Sequence, residues 1–232
     1  MKTKYLSLLL VFAAVLCAYA GEPYFVTRGD RTLYYERYKA ATKKLVQTTT
    51  LDIDRVEAVG AARRVHYTMT LRKANGSTMY GGPADLSVLI AENGDVDMDF
   101  GGTVKMVIQN MFPHAKVRFS GNAALMPLGM QPGDTLPDSH CILKVAGMEV
   151  KLDITGRKVL RRERITTPAG TFDCVVARER KQEKAPLHHV DVWSDTWYAP
   201  GIGYVRHDEY DKNMRLETSE ILISDTAAEK KQ

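Results

Sequence analysis

The sequence predicts an all-β chain, an antiparallel β-barrel or strongly curved sheet carrying one short helix. Three observations predict it. Runs of alternating apolar and polar residues recur along most of the chain, the period of a strand with one buried face. Gly, Pro, Asn and Asp punctuate those runs at short intervals, the spacing of sandwiches and barrels. One stretch alone, near residues 103–111, shows helical period. About ten one-sided strands must wrap to cover their apolar faces, which points to a barrel or a strongly curved sheet.

Residues 1–20 stand apart. Lys2 and Lys4 precede an apolar run from Leu6 to Leu16, and Ala18-Tyr19-Ala20 puts small residues where a signal peptidase reads them. The expectation is a cleavable export signal, a mature chain from Gly21 and a periplasmic or extracellular address. The run is shorter than the roughly 20 apolar residues of a spanning helix, so no transmembrane segment is expected in the mature chain. Cys17 would suit a lipid anchor, but Leu16 before it is bulky where such sites hold small residues. Gly21 to Arg31 is polar and expected to be loosely held. Residues 21–226 are expected to form one barrel-like domain, with 227–232 as a disordered tail.

Thr32 to Tyr38 (TLYYERY) is rich in aromatic residues, which favour strands. Leu45, Gln47, Thr49, Leu51 and Ile53 share one parity, as do Val65, Tyr67, Met69 and Leu71. Asn75-Gly76 marks a turn. Leu86 to Ala91 and Val96 to Phe100 flank Asn93-Gly94, a strong hairpin signal because both residues tolerate positive φ. The helix follows: Thr103 is placed to cap it, Val104, Val107, Ile108 and Met111 fall on one face, and Pro113 stops it. Ala123 to Asp138 holds Pro127, Pro132, Pro137, Gly129 and Gly133, and reads as a loop.

Strands resume at His140. Cys141, Leu143 and Val145 share a face, and Val150, Leu152 and Ile154 alternate with Glu149, Lys151 and Asp153. Pro168-Ala169-Gly170 reverses the chain into Phe172, Cys174 and Val176. His189 to Tyr198, Gly203 to Tyr210 and Arg215 to Ile223 complete the series. Both mature cysteines share a parity with apolar neighbours and are expected in the core; an exported chain leaves a disulfide between them open.

The chemistry is sparse. Removing residues 1–20 takes two lysines from the 32 basic side chains, leaving 30 against 28 acidic ones, so no global field argues for nucleic acid. Asp95, Asp97 and Asp99 resemble a calcium loop, but the sixth and twelfth positions are Phe100 and Met106 where glycine and a carboxylate are required. His188, His189, Asp191, His207 and Glu209 do not form a spacing that selects a metal set. No serine sits in a nucleophile elbow. No catalytic residue, metal or cofactor is therefore assigned. The run from Lys151 to Lys184 holds ten basic and five acidic residues. It reads either as a contact for an anionic envelope surface or as the wet face of a hairpin protected from edge pairing.

Methionine is uneven: six of ten fall between Met98 and Met148. Thioethers adapt to varied apolar partners. With Met111, Phe112, Leu125, Met126, Leu128 and Met130, this region is the candidate lining of a barrel mouth, or else its plug. The sequence thus leads to an exported binding protein for an apolar or amphiphilic envelope molecule or an envelope protein. The alternative is an envelope hydrolase whose site is assembled from dispersed strand residues.

Thr167-Pro168-Ala169-Gly170-Thr171-Phe172-Asp173-Cys174, then Trp197-Tyr198-Ala199-Pro200-Gly201-Ile202-Gly203-Tyr204-Val205-Arg206 and Tyr210-Asp211, resemble the TapB-like family of exported bacterial proteins. Gly133-Asp134-Thr135-Leu136-Pro137-Asp138 fits as well, and the resemblance spans about Leu125 to Ile223. It implies a barrel-like fold in a Gram-negative envelope and brings no catalytic residues.

Overall fold

The computed structural model describes residues 21–227 apart from 99, 115, 146, 186 and 187, so the expected export signal and the tail from 228 lie outside it. The strands are β1 (Arg31–Lys39), β2 (Leu45–Val59), β3 (Ala62–Lys73), β4 (Ala84–Ile90), β5 (Val96–Met98), β6 (Val117–Gly121), β7 (Ala124–Met126), β8 (Ser139–Val145), β9 (Met148–Thr167), β10 (Gly170–Ala185), β11 (His188–Ala199), β12 (Gly203–Tyr210) and β13 (Leu216–Ala227). One helix, α1 (Phe100–Met111), lies between β5 and β6. All thirteen strands join one antiparallel sheet in the order β6-β8-β9-β10-β11-β12-β13-β1-β2-β3-β4-β5-β7. The all-β expectation holds, as a strongly curved sheet that does not close by hydrogen bonds.

The sheet's margins, β6 and β7, are neighbours in sequence, separated by Asn122 and Ala123. Three Cα steps of about 3.8 Å each bring the two margins within roughly 11 Å at that point. Asn122 holds the crossing: its Nδ2 donates to Asp138 O (2.9 Å), its Oδ1 accepts from His140 N (2.8 Å), and its carbonyl accepts from Ser139 Oγ (2.8 Å). Gly121 is required here, since its φ is +153° and a Cβ would stand 2.3 Å from His140 O. Arg157, 2 % exposed, spans the seam from β9. Its Nη1 donates to Leu125 O of β7 (2.9 Å) and Pro137 O (2.8 Å), while Nε lies 3.2 Å from Glu179.

Helix α1 bridges the remaining opening. Val104 and Ile108, four residues apart and so on one face, pack on Cys141, Leu143, Leu152 and Ile154 of β8 and β9. At its other end Asn110 Nδ2 donates to Pro83 O, just before β4, at 2.7 Å.

Four details correct the sequence reading. Among the described residues there are thirteen strands rather than about ten: the short β6 and β7 carry too few residues to show a period, and the expected arm from Val96 to Phe100 ends at Met98. The helix starts at Phe100, so Thr103 lies inside it rather than capping it. Within the expected loop 123–138, β7 forms because Val96 and Met98 of β5 pair with Met126 and Ala124, a tertiary contact that overrides local turn residues. The N-terminal segment is not loose: Tyr24, Phe25 and Val26 are buried, and Pro23 O accepts from Gly201 N at 2.7 Å. Three consecutive buried residues follow neither strand nor helix period, so no pattern announces them.

The parities otherwise hold. Thr49, Leu51, Ile53, Val65, Tyr67, Val88 and Ile90 are buried while their neighbours are not. Cys141 and Cys174 are both buried but belong to separate apolar clusters, and no disulfide joins them. Cys141 pairs with Leu152 of β9, and Cys174 with Glu163. Eleven residues of strand at about 3.3 Å each separate them by about 36 Å along the sheet, far beyond disulfide reach.

The candidate site, a cleft beneath the helix

Strand parity sends two sets of side chains to opposite faces of β9–β13. Glu179, Lys181 and Glu183 of β10, Ser194, Thr196 and Tyr198 of β11, and His207 and Glu209 of β12 point inward, to a cavity of about 310 Å³ roofed by Thr103 and Val104 of α1. A second, apolar cavity of about 150 Å³ adjoins it, walled mainly by Phe25, Leu51, Tyr67, Met69, Met98 and Met126. Both share Met98, Thr103, Tyr198 and Tyr204 in their walls. A larger hollow of about 560 Å³ lies around Glu22, Arg28, Asp30, Pro200 and Asp225; its Arg31 and Asp225 are paired with each other, and it holds no comparable division.

The polar cavity has a charged centre. Arg37 of β1 reaches Glu209 and Glu220, each at 2.9 Å, and Thr49 Oγ1 donates to Glu220 at 2.7 Å. Thr196 Oγ1 and His207 Nδ1 are 2.8 Å apart. Burial by itself would raise the Glu209 carboxyl. Contact with His207, at 3.7 Å a charge contact rather than a full hydrogen bond, and the cations Arg37 and Lys181 outweigh burial and hold it well below the ordinary glutamate range. Tyr35 and Tyr204 stack at 4.4 Å, and burial lifts both phenols well above their usual range. Tyr35 Oη donates to Tyr204 O.

Of the six residues expected at a barrel mouth, Met126 lines the apolar cavity. Met130 is equally buried, at 1 % exposure, but away from both cavities, and Leu125 and Leu128 are half-buried. Phe112 stands exposed at 56 % beyond the end of α1, and the side chain of Met111 is outside the described residues. Leu128 N donates to Asp95 Oδ1 (2.8 Å), so the loop after β7 is tied to the Asn93-Gly94 turn. Asp95, just before β5, thus serves as a clasp. The polar centre was missed because its members sit on β1, β2, β12 and β13, joined by pairing across the whole chain. The one local hint is Arg37 at an inward parity between Tyr35 and Lys39.

The outward set is different in kind. Arg178 and Asp195 form a two-pronged pair (2.7 and 2.8 Å), as do Arg180 and Asp191, Arg206 and Asp208, and Arg164 and Asp173. Trp197 lies between the guanidinium groups of Arg161 and Arg206, with centroid distances of 5.5 and 4.6 Å. Within the basic run from Lys151 to Lys184, Arg157, Arg161 and Arg164 thus pair with carboxylates of the run itself, and Arg178 and Arg180 with Asp195 and Asp191 of β11. Asp191 is taken up by Arg180, while His207 and Glu209 face the cleft. Burial pushes the Cys174 thiol up to about 12, with the Asp173 and Glu163 carboxylates adding to it, which leaves it unreactive.

The sequence from residue 29 to 222 matches the DUF3108-like family. The TapB-like name suggested by the turn sequences finds no support in this match. No curated protein matches the sequence. Two crystal structures share the fold. A presumed exported protein with a YmcC-like fold from Bacteroides fragilis superposes with a TM-score of 0.71 at 21 % identity, over 88 % of this chain and 99 % of its own. A presumed lipoprotein from Parabacteroides distasonis gives 0.72 at 20 %, over 89 % and 99 %. The fold is thus the YmcC-like one. No helix among the described residues is long and apolar enough to cross a membrane.

Proposed function

The chain belongs to the DUF3108-like family, and we propose that it binds a single-chain amphiphile in the cleft beneath α1, as an exported protein of the cell envelope. The observation behind this is the division of the cleft. An apolar cavity adjoins a charged and hydroxylated one, as a molecule with a tail and a head requires. The tail would lie among Phe25, Leu51, Tyr67, Met69 and Met126. At about 150 Å³ that space suits one chain rather than two. Met98 and Thr103 stand between the cavities, and a thioether can change rotamer at little cost to let a ligand span them. The fluorescence of N-phenyl-1-naphthylamine tests the reading. It should rise on mixing with the wild type and fail to rise with Met69→Trp, which fills the tail space. Equal signals from both proteins would end the proposal.

A hydrolase is the second reading, favoured by one observation: Thr196, His207 and Glu209 stand in series as a hydroxyl, an imidazole and a carboxylate. Such a series is the logic of an activated nucleophile. Against it, Thr196 is only 4 % exposed and lies within the β11–β12 ladder, whose backbone N–H groups are committed to pairing and cannot receive an oxyanion. Release of p-nitrophenol from p-nitrophenyl laurate that is lost in His207→Ala would favour catalysis over carriage.

A further inference from the structure

The polar cavity also indicates the kind of head group, on the premise that the cleft holds an amphiphile. We infer that the head group is uncharged and polyhydroxylated, a glycoside rather than an ion. Three cationic side chains, Arg37, Lys181 and Arg157 behind them, face four carboxylates, Glu179, Glu183, Glu209 and Glu220. All of these charges but Glu183 are already committed to one another. Arg37 meets Glu209 and Glu220 at 2.9 Å, Arg157 meets Glu179 at 3.2 Å, and Lys181 stands 4.0 Å from Glu209. An entering phosphate or carboxylate would lose its hydration and find every cation of the wall engaged, with carboxylates close behind, while an ammonium would meet only Glu183 uncommitted, with the like charge of Lys181 two residues away on the same face. That cost has no offset.

Hydroxyl groups meet the opposite situation. A carboxylate in a salt bridge keeps further lone pairs, and a guanidinium keeps further N–H groups. Each sugar hydroxyl both donates and accepts, so it can add to these pairs without breaking them. The wall supplies both partners side by side: carboxylates at Glu179 and Glu209, donors at Lys181 and Arg37, and hydroxyls at Ser194 and Thr196. The buried Nε of Arg37 finds no acceptor among the described residues.

The test holds the tail constant and varies the head. Dodecyl maltoside, dodecylphosphocholine, dodecanoate and dodecyltrimethylammonium are titrated calorimetrically into the purified protein, each below its micellar concentration. The maltoside should bind at least tenfold more tightly than each of the three charged or zwitterionic compounds. A charged head that equals or exceeds it would overturn the head-group assignment while leaving the amphiphile reading intact. Failure of all four to bind would remove the amphiphile reading itself. Lys181→Met, changed at a partly exposed position of the wall, locates the effect. Affinity for the maltoside should fall about fivefold and that for dodecanol should stay constant; an unchanged maltoside affinity would place the head elsewhere and refute the assignment.

Discussion

The two faces of β9–β13 use the same residue types to opposite ends. On the convex face, Arg178–Asp195, Arg180–Asp191 and Arg206–Asp208 are paired one to one, with two contacts each. On the concave face, Arg37 is shared by two carboxylates, its Nε is unmatched among the described residues, and open volume stands over the cluster. Arg178–Asp195 and Arg180–Asp191 staple β10 to β11, whereas Arg206–Asp208 lies along β12. An over-subscribed cation beside open volume is the arrangement on which the proposed binding role rests. Charge alone does not mark a site; the balance of partners and the space around them do.

The largest way to break this contrast is on the concave side. Arg157→Leu would strand Glu179, which is 12 % exposed, and leave Leu125 O and Pro137 O without their donor. A loss of about 3–5 kcal/mol is expected by urea denaturation, the cost of leaving one partner of a buried pair. A loss no greater than that of a surface pair would show that the seam does not depend on this residue.

Glu209→Gln comes next, at about 2–3 kcal/mol for a charged hydrogen-bonding partner of Arg37. The pH dependence sharpens it. The Glu209 pKa is depressed, so its contribution is fully present above the unfolded value of 4.5 and is lost as pH falls below that toward its own lower value. The variant should therefore show a flatter loss of stability below pH 4.5 than the wild type. Parallel acid limbs would mean that Glu209 is not held ionised by the cleft.

On the convex side the effects shrink. Asp195→Asn keeps the size of a side chain that is 4 % exposed but removes its charge opposite Arg178, and about 1 kcal/mol is expected. Arg164→Ala, in a fully exposed pair with Asp173, should leave the melting temperature unchanged at 0.15 M salt. A clear fall would show that the outer pairs stabilise the sheet as strongly as the inner ones.

Much of the sheet was legible from alternation because a half-buried strand writes its burial into every second residue. Leu51 and Ile53, Val65 and Tyr67, and Cys141 and Leu143 each announce an inward face. Tyr24-Phe25-Val26 and Ala124-Leu125-Met126 do not, since one fills the interior without regular structure and the other is a strand only by virtue of β5. The candidate site was legible in part. The methionine-rich stretch led to Met126, whereas Arg37, Glu209 and Glu220 are polar residues inside a curved sheet, where alternation predicts apolar ones. Arg37 and Glu220 are register partners across β1 and β13, and the register of strands so far apart in sequence is set by the fold as a whole.

That same β1–β13 ladder bears on how the molecule reaches its native state. Arg31 and Asp225, paired side by side, are separated by 194 residues of chain. The strands β1 to β4 and β8 to β13 each form a meander of near neighbours that can assemble locally, and the ladder between the first strand and the last then welds them. Closing so long a loop is entropically costly and comes before its contacts can repay it, which makes this the slow step of folding. Until it is complete, each half exposes one unpaired strand at what will become the middle of the sheet. Deleting β13 would therefore divide the sheet in two rather than trim its rim.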